Sequence, residues 1–167
     1  YRVLRLNRDA TLSVVAGNDE FEYNGDGGPA TRASLGFPYG LGVLADGSVF
    51  VSDSLCRCVR RIDGSGVIQT VAGNGRFSRI MDGTAATNAF LSDVRGLAFD
   101  RAGNLFVASL GLNYVGAISP DGAYRHVAGT VGGCCRDGQP AVRALLNSPT
   151  ALAFDAQGRL HIADPTF

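Results

Sequence analysis

A chain of 167 residues in which 46% of side chains are hydrophobic and 18% charged has the length of one domain, buries a real core, and is too apolar to be disordered. Its 15 acidic residues balance 15 basic ones, every one of them arginine, so no net field gathers nucleic-acid phosphates or anionic lipid. Glycine shows no three-residue period, no heptad is sustained, and no apolar run reaches about 18 residues, which excludes collagen, a coiled coil and a membrane-spanning helix.

The first elements in chain order are short strands over 2–6 and 11–16. A connection follows, Gly25-Asp26-Gly27-Gly28-Pro29-Ala30-Thr31-Arg32-Ala33-Ser34-Leu35, whose proline ahead of helix-tolerant residues predicts a short helical turn. Four strands are then predicted over 39–45, 48–53, 57–62 and 66–71, with Asp46-Gly47 and Asp63-Gly64 as hairpin turns. Four more are expected over 95–100, 104–109, 114–119 and 123–127, and the last segment, 150–164, supplies two. The middle connection carries Thr84 and Ala85 where the first has Gly28 and Pro29, so its turn is expected to start more loosely.

These elements repeat. Val-Ala-Gly recurs at Val15, Val71 and Val127, Asp-Gly at Asp26, Asp82 and Asp137, and leucine at Leu35, Leu91 and Leu146, in steps of 55 or 56 residues. Four short antiparallel strands per unit make one blade of a β-propeller. The fold class is therefore all-β: a β-propeller of three blade-equivalents of four antiparallel strands each, half of a six-bladed ring. The expected units are 38–93 and 94–148, with a third blade split between 149–167 and 1–37.

Gly96-Leu97-Ala98-Phe99-Asp100, Gly103-Asn104-Leu105-Phe106-Val107-Ala108, Thr70 to Gly75 and Gly25 to Ala30 resemble the NHL-repeat propeller family in its long-repeat form, and the likeness runs along essentially the whole chain. The resemblance implies an aspartate at the end of the second strand linked to an arginine in the third. Departures at Cys56-Arg57-Cys58, at Leu112-Asn113-Tyr114 and at Ser109, which stands where the other units have Asp53 and Asp164, put that link in doubt. It also implies a six-bladed ring, in which the rest of the propeller comes from flanking sequence or from a second copy. An excerpt of a longer chain is favoured over a self-contained half. In the latter case the 167 residues would form a two-fold dimer, with Phe167 of one copy placed just before Tyr1 of the other.

Four cysteines occur as Cys56-x-Cys58 and Cys134-Cys135. Neither spacing suits a zinc ribbon, and both pairs fall in loops on one propeller face, which predicts one or two disulfides in an oxidising compartment. His161 falls in the register of Phe50 and Phe106 and is expected to fill an aromatic slot, while His126 is expected to face solvent. Asn24-Gly25-Asp26-Gly27 lacks the carboxylate that a calcium loop requires and reads as a turn cap.

Some relatives implied by the resemblance are lyases or lactonases with a channel metal. With Glu20 and Glu22 its only glutamates, this chain shows no recognisable ligand set, and neither a cofactor nor a metal is expected. The alternative to a binding role is a six-bladed-propeller hydrolase or lyase with a metal near Tyr39, Arg95 and Thr150. The favoured reading is a noncatalytic binding or assembly module, extracellular or at the cell surface. It takes a protein or glycan partner or a small ligand, but no nucleic acid, and does not insert into a membrane. Its loops break the repeat at Glu20, Phe21, Glu22, Tyr23, Arg57, Phe77, Arg79, Asn113, Tyr114 and Arg136, and variable loops on a rigid frame are where recognition resides.

Overall fold

The computed structural model describes residues 1–76, 82–130 and 138–165. Phe77, Arg79, Cys134, Cys135 and Arg136, and with them part of the expected binding surface and one cysteine pair, lie outside the described residues. So does Phe167.

Twelve strands are formed among the described residues: β1 (Val3–Leu6), β2 (Leu12–Ala16), β3 (Pro38–Val43), β4 (Val49–Asp53), β5 (Cys58–Ile62), β6 (Ile68–Ala72), β7 (Val94–Phe99), β8 (Leu105–Ser109), β9 (Tyr114–Ile118), β10 (Tyr124–Gly129), β11 (Ala151–Phe154) and β12 (Leu160–Ala163). They assemble as four antiparallel sheets: the hairpin β1-β2, blade one (β3-β4-β5-β6), blade two (β7-β8-β9-β10) and the hairpin β11-β12. The fold is an all-β propeller segment, with no α-helix among the described residues.

Aspartate side chains organise the tight turns. Asp46, Asp63, Asp100 and Asp155 each accept backbone amides two residues on, and all but Asp46 also reach the amide four residues on, the Asx geometry that starts a turn. In the β5–β6 turn the left-handed glycine is Gly66, φ 83°, and not Gly64, because the loop closes through Gly66 N–H donating to Asp63 O. The predicted helical turns are single 3-10 turns at Ala30–Arg32, Ala86–Asn88 and Ala141–Arg143. The middle one is no looser than the first. Ala85 bridges to Ala123 as Pro29 does to Val67, and backbone bonds fasten both connections to the outer strand of the following blade. That edge is thereby covered.

The core lies in seams between sheets. One cluster, with Val3, Ala16, Leu35, Val51, Ile62 and Ile68, joins β1-β2 to blade one. A second, with Phe50, Val59, Leu91, Val94, Val107 and Tyr124, joins the two blades. A third, with Phe106, Val115, Leu146, Leu152, Phe154 and Ile162, joins blade two to β11-β12. Strands β8 and β9 are buried on both faces because a sheet lies on either side of them. The slot of His161 has the expected register, opposite Ala153 as Phe106 is opposite Ala98. Phe50 packs edge-on against Phe99 and Phe106 against Phe154, whereas His161 stays exposed and bonds to Asp155 at 3.1 Å.

The inner strands come close together at Gly40 and Gly96. A Cβ on Gly40 would fall 2.0 Å from Arg95 O, and one on Gly96 would fall 2.8 Å from Ala151 Cα. Ser52 Oγ receives the Gly40 amide at 2.7 Å and donates to Arg95 O at 2.8 Å, tying β3 to β7. A cleft of about 370 Å³ opens along these strands, lined by Tyr39, Leu41, Arg95, Leu97, Thr150 and Leu152 among others.

Candidate binding surface

The connection from β2 to β3 is pinned before it presents its side chains. Asp19, at φ 68°, pairs with Arg2 at 3.0 Å. Glu20 accepts from Asn18 at 2.9 Å and from Ser34 Oγ at 3.2 Å, so this predicted contact residue spends its carboxylate on the loop itself. Phe21 then projects outward to meet Tyr1 and Phe37, with ring centroids 5.1 and 4.9 Å away. Phe37 in turn lies 6.3 Å from Tyr39. Its amide is held by Asp53 Oδ1, as the Gly36 amide is by Asp53 Oδ2, at 3.1 and 2.8 Å. Asp53 thus serves the backbone of the strand entrance, and not the arginine that the family resemblance implied. Asp164 does the same for Asn147, and Ser109 for Ser92 with a hydroxyl.

Blade two completes the surface. The Arg95 guanidinium stacks 3.7 Å above the Tyr39 ring and grips Asp93 through two bonds of 2.8 and 3.1 Å. Donation to the Asp93 carboxylate raises the arginine's already high pKa, and its charge is fixed. Ser54, from the β4–β5 loop, reaches Asp93 at 3.0 Å. Leu55, next along that loop, closes over Gly36, where a Cβ would fall 2.1 Å away. Tyr1, Phe21, Phe37 and Tyr39 remain 40–50% exposed, a cluster of aromatic rings in solvent with one clamped arginine.

The other expected residues lie elsewhere. Glu22 is exposed. Tyr23 covers Arg60, with its ring 5.2 Å from the guanidinium and its hydroxyl 2.8 Å from Thr70 Oγ1. Arg57 and Asn113 are half-buried in equivalent loops, and Asn113 Oδ1 accepts the Ser148 amide at 2.9 Å. Tyr114 is no surface contact. It is 8% exposed and its hydroxyl donates to Phe90 O inside blade two. His126 is half-buried against the Tyr114 ring rather than open to solvent. The sulfurs of Cys56 and Cys58 come together across Arg57, with Cα atoms 5.2 Å apart.

Phe37 was not anticipated at all, and Tyr39 and Arg95 were named only as neighbours of a channel metal. Their signal is a break in the repeat: Phe37 and Tyr39 stand one unit before Asp93 and Arg95. Among the described residues, no carboxylate, imidazole or thiol lines the inner cleft. Among the described residues no three His, Cys, Asp or Glu side chains gather as a metal-holding group.

Comparison with known proteins fits this fold. Residues 7–81 match the teneurin NHL domain. The chain is 33% identical to mouse (Mus musculus) Teneurin-4 over 153 residues and 29% identical to mouse Teneurin-3 over 151, each time over 84% of its length. The chain belongs to the NHL-type propeller family. It spans only 5–6% of those teneurin chains. Among solved structures, a Bacteroides thetaiotaomicron protein of unknown function superposes on 98% of this NHL segment with a TM-score of 0.75 at 20% identity, covering 39% of that chain. An auxiliary nutrient binding protein from the same organism gives 0.69 at 14% over 98% of the segment and 40% of that chain. A chain of a nidogen/laminin complex gives 0.57 at 19%, over 94% of the segment and 46% of that chain. At these identities the likeness concerns the fold.

Proposed function

We propose that this NHL segment is a noncatalytic binding module whose contact surface is the aromatic cluster of Tyr1, Phe21, Phe37 and Tyr39 with Arg95. The carrying observation is that these large rings stay 40–50% exposed although the connection from β2 and the entrance of β3, which carry Phe21, Phe37 and Tyr39, are otherwise pinned. Exposed aromatics with a fixed arginine are the usual anchors of protein interfaces, and pinned loops lower the ordering cost of binding. Tyr1 and Phe21 each meet Phe37 edge to face, Phe37 stacks on Tyr39, and a face of Tyr39 is covered by Arg95. A sugar stacks on an open ring face, so the arrangement favours a protein partner over a glycan. The nidogen/laminin likeness gives a precedent for this fold in a protein complex.

The strands group into blade units at 38–93 and 94–148, with the third divided between 149–167 and 1–37. The free edges of β1 and β12 are to be met by flanking sequence or a second copy. An extracellular or cell-surface setting follows from reading Cys56 and Cys58 as a disulfide, which persists in oxidising surroundings.

The test is a display screen of extracellular protein domains against the intact protein, repeated with Phe37→Ala and Tyr39→Ala. Each truncation is expected to weaken a true partner by about 2 kcal/mol, roughly thirtyfold in Kd. Unchanged affinity for every partner found would move the contact surface elsewhere.

A further inference from the structure

The loops that join β4 to β5 and β8 to β9 turn through the same backbone state: Arg57 has φ 53° and Asn113, one unit later, φ 56°. That left-handed region is tolerated by asparagine and costs other side chains about an order of magnitude in population. The end of the fourth strand packs closely on this turn and leaves it little room for another conformation while the loop stays closed. A Cβ at Gly73 would fall 2.2 Å from Arg57 O, and one at Gly129 would fall 2.2 Å from Asn113 O. In blade two the turn residue is suited to its conformation and is tied to Ser148. In blade one it is an arginine, and on either side of it stand Cys56 and Cys58, buried, with Cα atoms at a separation that a disulfide spans. Blade two has Leu112 and Tyr114 at those places.

We propose that a Cys56–Cys58 disulfide is a redox-sensitive lock that holds Arg57 in the left-handed turn, and that a dithiol reductant opens it and frees the 54–57 loop. A ring closed across three residues takes little entropy from the unfolded chain, so the bond acts on the turn and not as a staple of the fold. One thiolate of the dithiol attacks a sulfur of the pair, and the second thiol displaces the mixed disulfide. Cys56 and Cys58 gain two electrons and two protons, and the reductant leaves as its cyclic disulfide. Leu55 sits in this loop over Gly36, beside Phe37, so on the binding reading above the lock borders the contact surface. Its test needs no partner.

The intact, oxidised protein is digested with trypsin under native conditions, before and after dithiothreitol. Cleavage after Arg57 is expected to rise about tenfold relative to cleavage after buried Arg60, since opening of the loop limits the rate. An unchanged ratio overturns the lock, as does a rise at both sites alike or recovery of Cys56 and Cys58 as free thiols in the untreated protein. In a second arm, Cys56→Ala with Cys58→Ala lowers the denaturation midpoint of the Arg57 protein but shifts an Arg57→Asn background by about a third as much, because asparagine needs no lock. Equal shifts in the two backgrounds refute it.

Discussion

Ser34 and Phe90 stand at equivalent places ahead of β3 and β7, and the two blades satisfy their carbonyls with different chemistry. In blade one the donor is the Arg60 guanidinium, fully buried, which gives one bond of 2.9 Å to Ser34 O, another of 2.8 Å to Asn24 O and an ion pair of 2.6 Å to Asp26. In blade two the donor is the Tyr114 hydroxyl, on the residue that replaces Cys58. Arg60 is there replaced by Gly116, and the vacated volume is filled by Tyr124, which replaces Ile68: a Cβ on Gly116 would fall 2.4 Å from the Tyr124 ring. Three substitutions therefore move together. A buried polar group must be satisfied, but the repeat leaves open which strand supplies the partner.

The largest test of that comparison is Arg60→Ala, which strands Asp26 and two carbonyls. A loss of about 3 kcal/mol is expected in chemical denaturation, at the low end for a broken buried pair because Asp26 is itself one-third exposed. Arg60→Gly with Ile68→Tyr restores the volume, as blade two does, but leaves Ser34 O without a donor. It should recover only part of the loss, and full recovery would mean that packing alone matters here. Gly116→Ala attacks the other blade and should cost about 1–3 kcal/mol through overpacking, with a lower thermal midpoint as its readout. Tyr114→Phe removes the hydroxyl donor and keeps the ring, for about 1–2 kcal/mol in the same measurement.

The smallest effect separates the blades by pH. Burial pushes the Asp26 carboxyl up, yet hydrogen bonds from Thr70 and Arg60 outweigh it and hold the group below its ordinary value of 3.8. Its contribution is thus fully present above that value and is lost as pH falls through the lower folded one. Burial raises the pKa of Tyr114, with Tyr124 adding to the shift, so the blade-two donor stays neutral throughout that range. Denaturant midpoints followed from about pH 5 down to about pH 2 should fall less steeply for Asp26→Asn than for the native chain; parallel curves would remove Asp26 from the account.

The strands and turns were legible because each is specified within a few residues. Asp100 to Asn104, for example, carries both the turn cap and the glycine that the hairpin needs. The Arg60–Asp26 pair was not legible, since its members lie 34 residues apart and the aspartate belongs to a connection read as a simple turn cap. Tyr114 was misplaced for an instructive reason. A break in the repeat reads as a sign of an exposed, variable loop, while here it is one part of a compensated change inside the blade. Phe37 and Tyr39 break the repeat too, and these are exposed. Departure from the repeat marks where a blade is individual, and burial alone tells whether that individuality faces a partner or the core.

The placement of the core between sheets has a further consequence. Each blade's apolar side chains are completed only by its neighbours, so the units behave as a one-dimensional array in which an interface energy couples adjacent sites. Loosening of one unit removes the seams on both of its flanks and is felt by the next unit before it is felt by distant ones. The same rule governs growth, because each added 56-residue unit brings one new sheet and one new seam at once, and duplication lengthens the arc without any change to the seams already formed.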